Sequence, residues 1–128
     1  MTPLFDEGDF SVSDSVVQHA LGTIKTLADS ASAHGVHVLM VNFPQHPDYK
    51  NSSLVGRLGP TWTTYSEIVS WLQSLETQNS YFHFYDAHQN GQHDYQDTEA
   101  FDCNHLGYTG AVKLSARVDS VLALVLGL

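Results

Sequence analysis

The 128-residue sequence is poor in basic side chains, in cysteine and in long apolar runs. Five Lys and Arg stand against fourteen Asp and Glu, a formal charge of −9. A chain this acidic has little with which to neutralise a phosphate backbone or an anionic lipid surface, which makes nucleic acid and membranes poor partners. The single cysteine, Cys103, excludes an internal disulfide and any multi-cysteine zinc site. No apolar run approaches the ~18 residues of a membrane span. The first ten residues are acidic and lack the basic and apolar blocks of a secretion signal, so any export signal of the parent protein is expected outside this stretch. Repeats, low-complexity runs and an internal linker are also missing.

What is present suffices for one hydrophobic core. Apolar residues make up 42% of the chain and aromatics 11%, which argues against a disordered tail. The length matches one domain of the usual ~100–200 residues. Residues 1–9 read as a loose lead-in. Ser13 or Asp14 then caps a helix whose apolar positions Val16, Val17, Ala20, Leu21, Ile24, Leu27, Ala28 and Ala31 follow three-and-four spacing. His34-Gly35 ends it, with glycine where positive φ is needed.

Val36–Phe43 is almost continuously apolar, the pattern of a strand buried on both faces of a parallel sheet, and Pro44 stops it. Residues 45–60 read as loop. Thr64-Tyr65-Ser66-Glu67 forms a capping-box pattern before a helix face of Tyr65, Ile68, Val69, Leu72 and Leu75. Tyr81–Asp86 reads as a second strand and 87–107 as a polar loop. A last helix, capped near Thr109, carries the stripe Ala111, Leu114, Val118, Val121, Leu122 and Val125. The alternation predicts an α/β fold with parallel strands and helices on both faces, a three-layer α/β/α arrangement. Two strands make a thin sheet, so a further segment or a second copy of the chain is expected to pair along strand 36–43.

Ligands of open parallel sheets bind beyond the carboxyl ends of the strands, and the loop after the second strand lies there. In that loop Asp102 and His105 have the spacing at which a carboxylate can fix an imidazole as a general base, two-thirds of a Ser-His-Asp relay. Asp102-x-x-His105-Leu106-x-x-x-Gly110-Ala111-x-x-Leu114-Ser115, after Phe84-Tyr85-Asp86, resembles the C-terminal block of the SGNH (GDSL-type) hydrolases. The helix, Gly35, the strand Val36–Phe43 and Pro44 resemble the next-to-last βα unit of that fold. Phe101–Leu106 also resembles the C-terminal segment of a Fibrobacter paralogous family of unknown function, whose long chains are often lipoprotein-like.

The SGNH resemblance implies a flavodoxin-like fold of which the last two strands and three helices are present, with residues 10–128 as the C-terminal part of the domain. It implies a serine esterase acting on an ester small molecule or a carbohydrate ester, with His105 as base, Asp102 as its partner, and neither metal nor cofactor. The family's Gly-Asp-Ser nucleophile turn is missing, Gly8-Asp9-Phe10-Ser11 being the nearest approach, and so is its Gly-x-Asn-Asp block. The expectation is therefore a fragment that is inactive alone, from an exported or lipoprotein parent. The alternative is a non-catalytic interaction module in which Asp102 caps a turn and His105 is held by packing.

Other residues carry weaker signals. His83, Asp86, His88, His93, Asp94 and Asp97 offer metal-ligating groups, but His83 lies within a strand and the others, on a loop without paired helical spacing, read as solvated residues. Cys103, two residues before His105, reads as a small buried residue and not as a nucleophile. Trp62, Tyr65 and Trp71 offer a sugar-stacking face but read as helix packing.

Overall fold

The computed structural model describes residues 11–51 and 61–128. The lead-in 1–9, the Gly8-Asp9-Phe10 part of the nearest nucleophile-like stretch, and most of the 45–60 loop lie outside the described residues. The elements follow the predicted alternation: α1 (Ser15–Ala33), β1 (Val38–Asn42), α2 (Trp62–Gln78), β2 (Phe82–Asp86) and α3 (Tyr108–Leu126). No helix among the described residues is long and apolar enough to cross a membrane. The described residues form two compact units, one of 11–38 with 51 and 61–82, the other of Leu39–Lys50 with His83–Leu128.

The first unit holds α1 and α2. Asp14 stands at the N-cap of α1, as expected, but its carboxylate accepts from the Ser11 amide at 3.0 Å and bonds no helix amide. The helix ends in a Schellman motif. The Gly35 amide donates to Ser32 O at 3.1 Å and the Val36 amide to Ala31 O at 2.9 Å, with Gly35 at φ 66°. Leu21, Ala28 and Ala31 form the buried stripe, whereas Val16 and Leu27 of the same periodic set are exposed. Helix α2 starts earlier than the capping-box pattern predicts. Thr61 is its N-cap, its hydroxyl accepting from the Thr64 amide at 3.4 Å, which puts Thr64 at the third helical position and buries it. Leu72 and Leu75 are buried on the predicted face.

The two strands are parallel neighbours. The Val38 amide donates to Tyr81 O at 2.8 Å and the Ala87 amide to Asn42 O at 3.0 Å, so both chain positions rise together along the pair. Strand β1 is shorter than Val36–Phe43 and is half-buried at all five positions, with Val36 and Phe43 at its flanks 53% and 61% exposed. Burial on both faces, read from its continuous apolar run, is therefore not met among the described residues.

In the second unit Val41 and Tyr85 lie beside a core of Ala87, Tyr95 and Leu114, which Leu106 and Val118 complete. Strand alternation then sends Asn42 and Asp86 to the other face, where Asn42 Nδ2 donates to Asp86 Oδ1 at 2.8 Å. Helix α3 begins after Gly107 as its N-cap, two residues before the predicted Thr109, whose hydroxyl instead donates to Thr98 O. The loop between β2 and α3 contains 3₁₀ turns at Gln89–Gly91 and Asp97–Glu99.

Gly110 is where α3 comes closest to this loop. It is buried in the first turn of the helix, and a Cβ there would stand well inside van der Waals contact distance of the Glu99 carbonyl oxygen and 3.0 Å from Leu106 Cδ2. The carbonyl cannot yield easily, because it accepts the Gly107 amide at 2.8 Å. Gly110→Ala is thus expected to destabilise the chain by about 1–3 kcal/mol through overpacking. Gly22, mid-helix in α1, has open space around the same position, and Gly22→Ala should stabilise by up to ~1 kcal/mol of helix propensity. Thermal melts of the two variants should move in opposite directions, and a Gly110→Ala melt at or above that of the parent would contradict the close approach.

Candidate functional site

The polar groups of the second unit collect beyond the carboxyl ends of its strands. Asp86, the last residue of β2, accepts on Oδ1 from Asn42 Nδ2, from the His88 amide at 3.2 Å and from the Gln89 amide at 3.1 Å. These bonds hold a turn in which Gln89 and Asn90 both adopt left-handed backbone, at φ 50° and 55°. Each such residue costs roughly 1–2 kcal/mol, so the turn persists because its surroundings fix it.

Two buried residues link this turn to the segment after β1. Pro44 is fully buried and places Gln45 directly beyond the strand. His88 is buried, with Nδ1 accepting from the Gly91 amide at 3.1 Å, so the ring proton sits on Nε2 and is donated to Gln45 Oε1 at 3.1 Å. The other end of the Gln45 amide donates to Asn104 Oδ1 at 3.4 Å. The path from β2 thus reaches the loop of Asp102 and His105.

That loop is a closed hairpin-like turn. An antiparallel bridge joins Ala100 to Leu106, and the Phe101 amide donates to His105 O at 2.8 Å. Asp102 Oδ1 accepts from the backbone amides of Asn104 and His105 at 2.8 and 2.9 Å. His105 Nδ1 lies 2.8 Å from Oδ1 and 2.9 Å from Oδ2 of the same carboxylate. With the proton on Nδ1, the His105 lone pair is on Nε2, the tautomer a general base needs. The Asn104 amide, and after it the His105 side chain, hold the Asp102 carboxyl below its ordinary range. The structure therefore brings together the two residues picked out by spacing. It leaves them open to solvent, with 73% of the His105 side chain and 47% of that of Asp102 exposed.

The six loop and strand residues considered as metal ligands do not converge. His83 is half-buried within β2, and Asp86 and His88 are engaged in the turn. Asp94 forms a two-pronged pair with Arg117, both contacts 2.7 Å. Lys113 bonds Glu99 at 3.0 Å and the Asp94 carbonyl at 2.9 Å. Both cations lie over the Tyr95 ring, Lys113 Nζ at 4.5 Å and Arg117 Cζ at 5.2 Å. Arg117 holds the Asp94 carboxyl far below the usual range. Of the six, Asp97 alone joins a group among the described residues, bringing its ligand atom together with those of His46 and Asp48.

Three further expectations resolve here. Cys103 is an exposed free thiol, not a buried residue, because its place in the turn points the chain outward while its carbonyl accepts the His46 amide at 3.2 Å. Trp62 opens α2 and packs edge-on against Tyr65 at 5.6 Å, and Trp71 is half-buried in the same helix. Ser11 belongs to the first unit, where its hydroxyl bonds that of Ser13 at 2.9 Å. Gln45 and Asn104 were not singled out by sequence reasoning, and the one signal for Gln45 was its place directly after the strand-ending proline.

The linked histidines make the second unit sensitive to acid. Burial lowers the pKa of His88, aided by His93 beside it and opposed by Asp86. Burial also lowers that of His93, whose Nδ1 accepts the Tyr95 amide at 3.3 Å. Both groups bind protons more tightly when unfolded, so the stability they contribute is present above the unfolded value of ~6.5 and is lost as pH falls through their lower folded values. Melting temperature should fall between pH 7 and 5, and less steeply in His88→Gln, which cannot titrate. A pH slope unchanged by that substitution would remove His88 as a cause.

Comparison with family models, with curated proteins and with solved structures finds no match to this chain in any of the three.

Proposed function

We propose that the chain is the C-terminal part of an SGNH-like serine esterase, flavodoxin-like in fold, contributing the base His105 and its partner Asp102. The observation that carries this reading is the Asp102 carboxylate, which bonds His105 Nδ1 with both oxygens in reach and is itself fixed by two backbone amides. In the reaction His105 Nε2 takes the proton of a serine hydroxyl as its oxygen attacks the ester carbonyl. The imidazolium then returns that proton to the departing alkoxide, leaving an acyl-serine. Water repeats the sequence, giving its proton to Nε2 and releasing the acid and the free serine. Asp102 stabilises the imidazolium in both halves.

The serine comes, on this reading, from a further segment of the natural protein. Among the described residues the sheet has two strands, and β1 is apolar yet only half-buried, which leaves an apolar edge to cover. Pairing along 36–43 with that segment, or with a second copy, supplies what is missing. The second reading, a non-catalytic interaction module, draws on the 73% exposure of the His105 side chain, since a base of this kind works best in a water-excluded site.

Nitrogen-15 NMR of the imidazoles separates the two. The esterase reading expects His105 as the Nδ1–H tautomer in the neutral state, reverting toward Nε2–H in Asp102→Asn. An identical tautomer in both proteins would end it. Fluorophosphonate labelling read by intact mass should give no adduct on this chain alone, and one adduct once a serine-bearing segment completes the sheet, lost in His105→Ala. An adduct on the chain alone would place the nucleophile within these 128 residues and overturn the fragment view. Sedimentation at micromolar concentration is expected to show association. A strictly monomeric mass with freely exchanging amides along Val38–Val41 would refute pairing through that strand.

A further inference from the structure

We infer that His46, Asp48 and Asp97 form a binding site for a divalent first-row transition ion, independent of the esterase reading. The three residues come from two segments far apart in the chain, the stretch after β1 and the 3₁₀ turn Asp97–Glu99. One ligand atom from each lies within 4.8 Å of the others, so a point within about 2.8 Å of all three exists. Metal–ligand distances are ~2.0–2.2 Å, so closing on an ion asks each ligand atom to move by less than about 1 Å.

Charge bears on the site as well. Two carboxylates held this close repel unless a cation joins them. Among the described residues the ion pairs of Lys25, Lys113 and Arg117 are made elsewhere: Lys25 pairs with Asp29, Lys113 with Glu99 and Asp94, and Arg117 with Asp94. The donor set specifies the ion. One imidazole nitrogen with two carboxylate oxygens suits Zn²⁺ or Mn²⁺ better than Ca²⁺ or Mg²⁺, which prefer oxygen alone, and Zn²⁺ binds such ligands more tightly than Mn²⁺. Water would fill the remaining positions.

The site also carries its own reporter. His46 Nδ1 accepts the Asp48 amide at 3.1 Å. Coordination through either ring nitrogen ends that bond. If Nδ1 binds, its lone pair goes to the ion; if Nε2 binds, Nδ1 must carry the ring proton and can no longer accept.

The test is titration of the metal-free chain with Zn²⁺ by calorimetry, followed by amide NMR. The expected results are saturable 1:1 binding, a shift of the Asp48 amide resonance at the same stoichiometry, and at least tenfold weaker binding in both His46→Ala and Asp97→Asn. His19→Ala, on the exposed face of α1, should bind within twofold of the parent and so discounts adventitious histidine binding. No saturable binding, or affinity within twofold of the parent in both site variants, would overturn the proposal. Because the readouts are binding and a backbone resonance, neither depends on whether the chain hydrolyses an ester.

Discussion

The second unit depends on how a long polar loop is fastened to a helix over a sheet that has two strands among the described residues. Tyr95 does the fastening. Its ring is buried with Ala87 and Leu114, and Lys113 and Arg117 of α3 lie over it while bonding Glu99 and Asp94 on either side. Paired cations above an aromatic face add attraction to burial, and the bonds to Asp94 and Glu99 fix the chain on both sides of the ring. Two of the five basic residues of a very acidic protein serve this one purpose. Everything that follows in the chain, from the 3₁₀ turn at Asp97 to the Asp102 turn and the close approach at Gly110, starts from a loop pinned in this way.

The order of elements was legible in the sequence because each has a strong period. The three-and-four spacing of Leu21, Ala28 and Ala31, the apolar run around Val38–Val41 and the stripe through Leu114 leave little choice of type. Boundaries were less legible. Thr64-x-x-Glu67 has the form of a capping box, yet Thr61 provides an equal cap one turn earlier, and the longer helix buries Thr64. Burial was least legible. An apolar strand implies neighbours on both faces, but sequence cannot say whether those neighbours belong to the same chain, and here Val36 and Phe43 remain largely exposed.

The candidate site divides in the same way. Asp102 and His105 are three residues apart, so a local turn suffices to join them and spacing alone could find them. The link through Gln45 spans 43 positions to His88 and 59 to Asn104, and no local pattern announces it. Asp94 illustrates the opposite error. As an acidic loop residue among histidines it resembles a ligand, but a guanidinium 23 positions away takes both of its oxygens. Tertiary partners, not residue type, decide which carboxylates remain open for chemistry.

The Asp102–His105 pair and the proposed cation site lie on one loop system. The His46 amide donates to Cys103 O, and Gln45, one residue earlier, bonds Asn104. The segment after β1 is therefore tied at two successive residues to the turn that holds Asp102 and His105. An ion joining His46 and Asp48 to Asp97 would add a third tie, between that segment and the 3₁₀ turn ahead of the bridge at Ala100. With both ends of the Asp102 turn anchored, the imidazole would have fewer alternative orientations to lose in the proposed reaction, and pre-organisation of this kind is what an exposed pair on a thin sheet most lacks. Where few strands supply rigidity, crosslinks between loops have to supply it instead.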